Sequence, residues 1–487
     1  LAFSLPFSLL TAWWILQGFR LVNNAVAERV YSILVSSLTR DLPTPSASVL
    51  ATNLGACLYG AIVVILFTIG LFLAYNVGVL SNHIWLRVSR RFSRCDAVAP
   101  SDLGPVEVTN NPYLRFERIG IVLSGGGAKG AFQAGALQAI YSHLAKHDAL
   151  TKVRSISGTS IGSWNGVFWL ANLIHSPGFD GQSPTLKNWW EQLSAKKFTA
   201  PSWYVPGLKN SFLSTMPWQT CFDDIFRQDV AARTISESPI HFYFTRSNVG
   251  SGRLECVTNN PSPPKLHHVT YEILKPDQPN AAALQCLKMG VFASMDLPPL
   301  FPYVKIGDNY FEDGGVIDNL PISFAALEDC DLIFVLPLNA DFDAVPNRTS
   351  LLARLYRVMD ARQGALERSS MKLLYLYNEL AELRAVAAKA AVAPQVKDNP
   401  GHANLDRALD RSNQPISVFS VCPQRSFVES TINTQEFWKT KEAGVAFRIM
   451  SEATARLLEE FDFEAARNRV RTALVGRTGQ VVWDENF

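Results

Sequence analysis

Ser160 sits inside Gly158-Thr159-Ser160-Ile161-Gly162, a Gly-x-Ser-x-Gly pentad. A serine hydroxyl becomes a useful nucleophile only when a base takes its proton. Glycines two positions before and after it let the backbone turn sharply and keep the hydroxyl uncrowded. Upstream, Ser124-Gly125-Gly126-Gly127-Ala128-Lys129-Gly130 offers a run of amides without side chains. Such a run at a helix N-terminus is a preformed anion site, suited to the oxyanion of a tetrahedral intermediate. Lys129, in the same run, is expected to face solvent. Far downstream, Asp313-Gly314-Gly315 follows the apolar pair Tyr310-Phe311. A carboxylate partly removed from water gains basicity and can accept a serine proton. Nucleophile, base and oxyanion donors in one chain make the chemistry of acyl transfer.

The base is the least determined of the three. Histidine serves in many serine hydrolases, and His175, His241, His267, His268 and His402 all follow Ser160, none in a suggestive setting. Asp-Gly alone reads equally as a type I′ hairpin turn, and Asp296, Glu312 and Asp318 are neighbouring carboxylates with no better claim. Thr159 and Ser163 fit as turn and cap residues.

These residues need particular elements to hold them. Arg118 to Leu123 reads as a short apolar strand running into the glycines, and the apolar spacing from Lys129 to His147 predicts a helix. Val153 to Ser157 reads as a second strand and Ile161 to Leu173 as a second helix, so both motifs fall where a strand turns into a helix. The second helix aims its positive end at Ser160. Strands alternating with helices imply a largely parallel sheet covered on both faces. His241 to Thr245 and Leu254 to Val257 flank Asn248-Val249-Gly250-Ser251-Gly252, a hairpin, and Leu332 to Leu338 is a further buried strand. Leu351 to Ala393 reads as amphipathic helix, with Leu373, Leu374, Leu376 and Leu380 among its apolar positions. Pro394 to Pro415 is a polar connection, Ser417 to Val421 one more strand, and Thr434 to Ala466 one or two terminal helices.

Two other chemistries fit less well. Gly125, Gly127 and Gly130 match the Gly-x-Gly-x-x-Gly of dinucleotide sites, but the end of the second strand carries Ser157 where an acidic residue is needed. A phosphate-binding Walker loop lacks its Gly-Lys-Ser/Thr. No His-Glu-x-x-His or Cys-x-x-Cys spacing occurs among the eight histidines and seven cysteines, so neither a metal nor a disulfide framework is expected. A net charge of +2 without a basic, aromatic-laced run excludes nucleic acid as an expected partner.

Together, Ser124 to Gly130, Gly158 to Gly162, Phe292-Ala293-Ser294 with Pro298-Pro299-Leu300-Phe301, and Asp313-Gly314-Gly315-Val316 leading to Asn319-Leu320-Pro321 resemble the patatin-like phospholipase family. The resemblance covers roughly Arg118 to Asn339. It implies a three-layer α/β/α fold and hydrolysis of acyl esters in lipids by a Ser-Asp dyad, without histidine, metal or other cofactor. It carries the nucleophile onto Ser160, the base onto Asp313, and the oxyanion loop onto Gly125, Gly126, Gly127, Lys129 and Gly130. Gly158 and Gly162 form the elbow, and Gly314 and Gly315 the turn after the base. Asp296 departs from the family pattern, placing a carboxylate where small or apolar residues are more usual. A catalytically silent scaffold of the same fold is the alternative.

Charged residues make up 18% of the chain, below the usual share of about 25%. Part of the deficit is local: no Asp, Glu, Lys or Arg occurs between Asp41 and Arg87, and Leu58 to Val79 is almost purely apolar. That is long enough to span a bilayer core of about 30 Å. Leu1 to Phe19 is a second, weaker span, and Ala25 to Leu38 an interfacial helix. Arg87, Arg90, Arg91 and Arg94 follow the main span and place the large domain on the cytoplasmic side, against the pull of Arg20, Arg29 and Arg40. The expected organisation is therefore a membrane-anchoring region at 1–95, a linker at 96–117, a catalytic domain at 118–340, and a helical C-terminal region at 341–487. The lipid bilayer is the expected partner; oligomeric state is not readable.

Overall fold

The computed structural model describes residues 111–484 apart from the segments 176–184, 192–199, 202–210, 227–234, 275–279, 340–350 and 392–414 and a few single positions. The chain divides into two units, Leu1–Val106 and Glu107–Phe487, and every described residue belongs to the second. Both expected spans and the interfacial helix lie outside the described residues. Among the described residues no helix is long and apolar enough to cross a membrane.

An 11-stranded sheet organises the chain. Its strands are β1 (Ile119–Leu123), β2 (Val153–Thr159), β3 (His241–Asn248), β4 (Arg253–Thr258), β5 (Val269–Ile273), β6 (Val304–Ile306), β7 (Asn309–Asp313), β8 (Leu332–Leu336), β9 (Ser417–Pro423), β10 (Thr472–Val475) and β11 (Val481–Asp484). The order is β11-β10-β9-β8-β1-β2-β3-β4-β5, with the β6-β7 hairpin attached to β3. From β10 to β3 every neighbouring pair is parallel. The helices are α1 (Gly130–Lys146), α2 (Ile161–Leu170), α3 (Leu186–Glu191), α4 (Met216–Ile225), α5 (Asn280–Met295), α6 (Ile322–Leu327), α7 (Leu351–Ala391), α8 (Arg425–Ser430) and α9 (Thr440–Glu460).

Strands β1 and β8 are apolar throughout because both of their faces are covered. Side chains alternate between the faces. Ile119, Ile121, Leu123, Phe334 and Phe419 pack with α1, α2, α4, α5 and α9. Val122, Ile333, Val335 and Val418 point the other way, against Leu320, Ile322 and Ala325 at α6 and Met371 and Leu374 of α7. The result is the expected three-layer α/β arrangement with a mostly parallel sheet.

Three features depart from the sequence reading. Tyr113 and Phe116, placed in the linker, are fully buried in the main core. The C-terminal region, expected to be helical apart from the strand at Ser417 to Val421, adds β10 and β11 to the sheet beside that strand, β9. On α7, Leu374 is buried while Leu373, Leu376 and Leu380 are exposed; its inward side runs through Gln363, Glu367, Met371, Leu374 and Ala381.

Candidate active site

The end of β2 turns directly into α2 at Ser160. Ser160 has φ 54° and ψ −125°, a conformation that costs an L residue about 1–3 kcal/mol. The turn is tight enough that a Cβ on Gly162 would lie 2.4 Å from the Leu123 carbonyl oxygen. Its strain is held by bonds from outside the turn. The Ser160 N–H donates to Ser294 Oγ (2.8 Å) at the end of α5, and Ser294 Oγ also meets Ser163 Oγ (2.9 Å). Ser163 Oγ in turn donates to the Gly158 carbonyl (2.9 Å). Thr159 Oγ1 pairs with Thr245 Oγ1 (2.6 Å) on β3. Beneath α2, Trp164 is fully buried among Trp189, Trp218, Phe222, Phe226 and Phe292. Each such aromatic pair adds about 0.5–1.5 kcal/mol beyond burial, so the base of the elbow is firmly seated.

Asp313 ends β7, and its residue pairs with Arg246 on β3. It opens no hairpin: its carboxylate Oδ1 accepts the Gly315 N–H (2.7 Å) and caps a short 3-10 turn, Gly314–Val316. Both Ser160 and Asp313 are buried and line one cavity with Gly127, Ile161, Trp218, Met295, Leu297, Leu300, Phe301, Gln363, Thr434 and Phe437. Burial pushes the Asp313 carboxyl up to about 7, and the nearby Ser160 hydroxyl and the Gly315 amide oppose the rise. Asp313 Oδ2 has no well-formed hydrogen bond. The serine hydroxyl therefore stands close enough to act on the carboxyl without a fully aligned bond, a looseness common in sites without substrate.

In the glycine loop the structure assigns most amides elsewhere. Gly125 N–H donates to the Asn319 carbonyl (3.1 Å), Ala128 N–H to the Thr434 carbonyl (2.9 Å) and Lys129 N–H to the Gly126 carbonyl (3.2 Å). Gly130 N–H reaches the Gly127 and Ala128 carbonyls. That leaves the N–H groups of Gly126 and Gly127 without an assigned acceptor among the described residues. Gly127 has φ +57°, and a Cβ there would stand 2.2 Å from the Thr434 carbonyl oxygen.

Lys129 does not face solvent: its side chain is 5% exposed, donates from Nζ to Asn339 Oδ1 and lies 3.8 Å from Asp360. A buried ammonium needs such partners. Of the other carboxylates, Asp318 accepts the Leu320 N–H and Glu312 is half-buried, and neither lines the cavity. Asp296 is fully buried with both carboxylate oxygens unpaired; burial and then the charge of Asp313 push its carboxyl well up. Among the histidines, His175 bonds Ser142 and His241 bonds Glu328. His268 does not line the cavity, and His267 and His402 lie outside the described residues.

Sequence reasoning missed Gln363, Glu367 and Asn339, and met Ser294 only as part of a family motif without a role of its own. Glu367 is the most telling: it is 0% exposed and accepts from Asn319 and Asn339 beside the glycine loop. Its signal was a Glu in phase with the buried positions Gln363, Met371 and Leu374 of α7.

Residues 121–326 match the patatin-like phospholipase family. Lysophospholipase NTE1 of Eremothecium gossypii is 27% identical over 254 residues, half of this chain and 14% of that protein. Lysophospholipase NTE1 of Saccharomyces cerevisiae is 25% identical over 254 residues, again half of this chain and 12% of that one. The chain thus spans only a small part of the length of these relatives. The crystal structure of VipD from Legionella pneumophila aligns at 14% identity over 71% of this chain and 67% of that one, with a TM-score of 0.30, too low to bear on the fold.

Proposed function

Because this chain carries a patatin-like phospholipase domain at residues 121–326, we propose that it is a serine acyl hydrolase acting on lipid esters through Ser160 and Asp313. The observation that carries this reading is the shared cavity: a serine on a strained elbow faces a carboxyl raised to about 7 with one oxygen left unpaired. A base poised near neutral pH can both take and return a proton.

Asp313 takes the hydroxyl proton as Ser160 Oγ attacks the ester carbonyl. The carbonyl oxygen becomes an oxyanion against the N–H groups of Gly126 and Gly127, the two loop amides not otherwise engaged. Collapse breaks the ester C–O bond, and protonated Asp313 gives its proton to the leaving alcohol. Water then attacks the acyl-serine, losing its proton to Asp313, and fatty acid leaves as the serine is reprotonated. Donors fixed in advance are worth about 3 kcal/mol each in such a step.

The apolar lining (Ile161, Trp218, Met295, Leu297, Leu300, Phe301, Phe437) suits an acyl chain. The cavity volume is about 20 Å³, room for one water, so substrate entry requires these side chains to part. The relatives named lysophospholipase favour a single-chain phospholipid as substrate. Leu58 to Val79 is proposed to anchor the chain beside its substrate, with the catalytic unit on the cytoplasmic side. Ser160→Ala is expected to abolish fatty-acid release from lysophospholipid micelles and phospholipid vesicles; retained release would mean another nucleophile.

A further inference from the structure

Helix α7 lies beyond the stretch that matches the family, yet it turns Asp360, Gln363 and Glu367 toward the site from one face. Residues three and four apart on a helix are neighbours. Gln363 lines the cavity with Ser160 and Asp313. Asp360 accepts from Thr434 Oγ1 (3.0 Å) and lies near Lys129 Nζ. Glu367 goes deepest. Its Oε1 accepts from Asn319 Nδ2 (2.6 Å) and Asn339 Nδ2 (2.6 Å), and its Oε2 from the Asn339 N–H (3.0 Å).

Those bonds lead to the glycine loop by two routes. Asn319 holds Gly125 twice: its Nδ2 donates to the Gly125 carbonyl (3.3 Å), and its carbonyl accepts the Gly125 N–H (3.1 Å). Asn339 takes Lys129 Nζ, which fixes the far end of the loop. Gly126 and Gly127 lie between these two anchors. Their amides can meet an oxyanion only if both anchors hold, since catalytic donors must be positioned within about 0.5 Å.

We propose that Glu367 is a positioning residue for the oxyanion-binding amides, which makes α7 part of the catalytic unit. The proposal rests on the serine hydrolase reading above. A carboxylate is needed because three donors converge on Glu367: two side-chain amides and one backbone N–H. A carboxamide in its place keeps the volume but sets an N–H₂ against one of those donors.

The test compares wild type, Glu367→Gln and Ser160→Ala on a soluble short-chain ester. It also measures inhibition by a trifluoromethyl ketone, which forms a tetrahedral adduct on an active serine. Removing one oxyanion donor costs about 10²–10³ in rate, so tilting the donors is expected to lower kcat in Glu367→Gln by about 10- to 100-fold. KM should stay within about threefold, and ketone affinity should fall by a factor similar to kcat/KM. Unchanged kcat and ketone affinity in Glu367→Gln would overturn the proposal. So would a loss of kcat, on a folded chain, that leaves ketone affinity within about threefold of wild type. Turnover that survives Ser160→Ala, or is absent from wild type, would instead overturn the serine reading and the positioning role with it.

Discussion

Lowering the pH should switch this chain off well above the range in which ordinary carboxylates titrate. In the proposed mechanism Asp313 must be ionised to take the Ser160 proton, and burial lifts its carboxyl from the ordinary 3.8 to about 7. For an acid whose pKa is raised, the charged form is scarce below that value, so kcat/KM should rise with pH through about 7 and then level. Through Asp313 alone, each unit below about 7 should cost about tenfold, hence about 100-fold at pH 5 relative to the plateau. Glu367 is also lifted to about 7, by burial opposed by Lys129 and the Asn339 bonds. It must likewise be ionised to accept on both oxygens, so the acid limb should be steeper than one proton, and Glu367→Gln should return it toward a slope of one. The assay is initial rate on a soluble ester from pH 5 to 9, with far-UV circular dichroism at each pH to confirm a folded chain. A rate that stays flat down to pH 5 and falls only near 4 would refute the argument, because the base would then be an ordinary exposed carboxylate.

Other consequences are more local. Gly127→Ala would press a Cβ to within 2.2 Å of the Thr434 carbonyl at a positive φ; the expected loss in kcat is about 100-fold, read on a chain whose melting temperature is measured in parallel. Ser294→Ala leaves the Ser160 N–H and Ser163 Oγ without Ser294 Oγ. Denaturant titration should show a loss of about 1–3 kcal/mol, together with lower turnover from a loosened elbow. Asp296→Asn removes a buried acid whose folded pKa is raised. Such a group favours the fold at low pH and loses that contribution as pH rises above the ordinary carboxylate range. The variant should therefore melt higher than wild type at pH 8, with the gap closing toward pH 4. Trp164→Ala, at the centre of the aromatic cluster under α2, should cost about 3–5 kcal/mol in the same titration.

Local chemistry made much of this legible in sequence. The pentad around Ser160 and the glycines at 125–127 declare strand-to-helix turns because only small residues tolerate them, and unbroken apolar runs at 119–123 and 332–336 announce strands covered on both faces. Asp313 was ambiguous by itself, since Asp-Gly serves equally in a hairpin; the resemblance selected it, and its short 3-10 cap is a different local structure from the hairpin turn. What stayed hidden depends on contacts between distant segments. A Glu on a long charged helix reads as a solvated face until the helix is docked, and Glu367 meets Asn319 and Asn339 only then. Lys129 was expected in water because a lone lysine usually is; Asn339 and Asp360, remote in sequence, bury it. The strands β10 and β11 were masked by the helical run before them, and their place in the sheet is fixed by pairing of β10 with β9 and of β11 with β10 rather than by their own composition.

In the proposed mechanism Ser160 is an activated nucleophile with Asp313 as its base. Treating the folded chain with a fluorophosphonate and locating the adduct by peptide mass spectrometry tests it most directly. The account predicts one adduct, on the peptide carrying Ser160, formed at least about 100-fold more slowly in a folded Asp313→Asn variant. An adduct on another residue, no adduct on folded wild type, or equal labelling rates in the two proteins would contradict it.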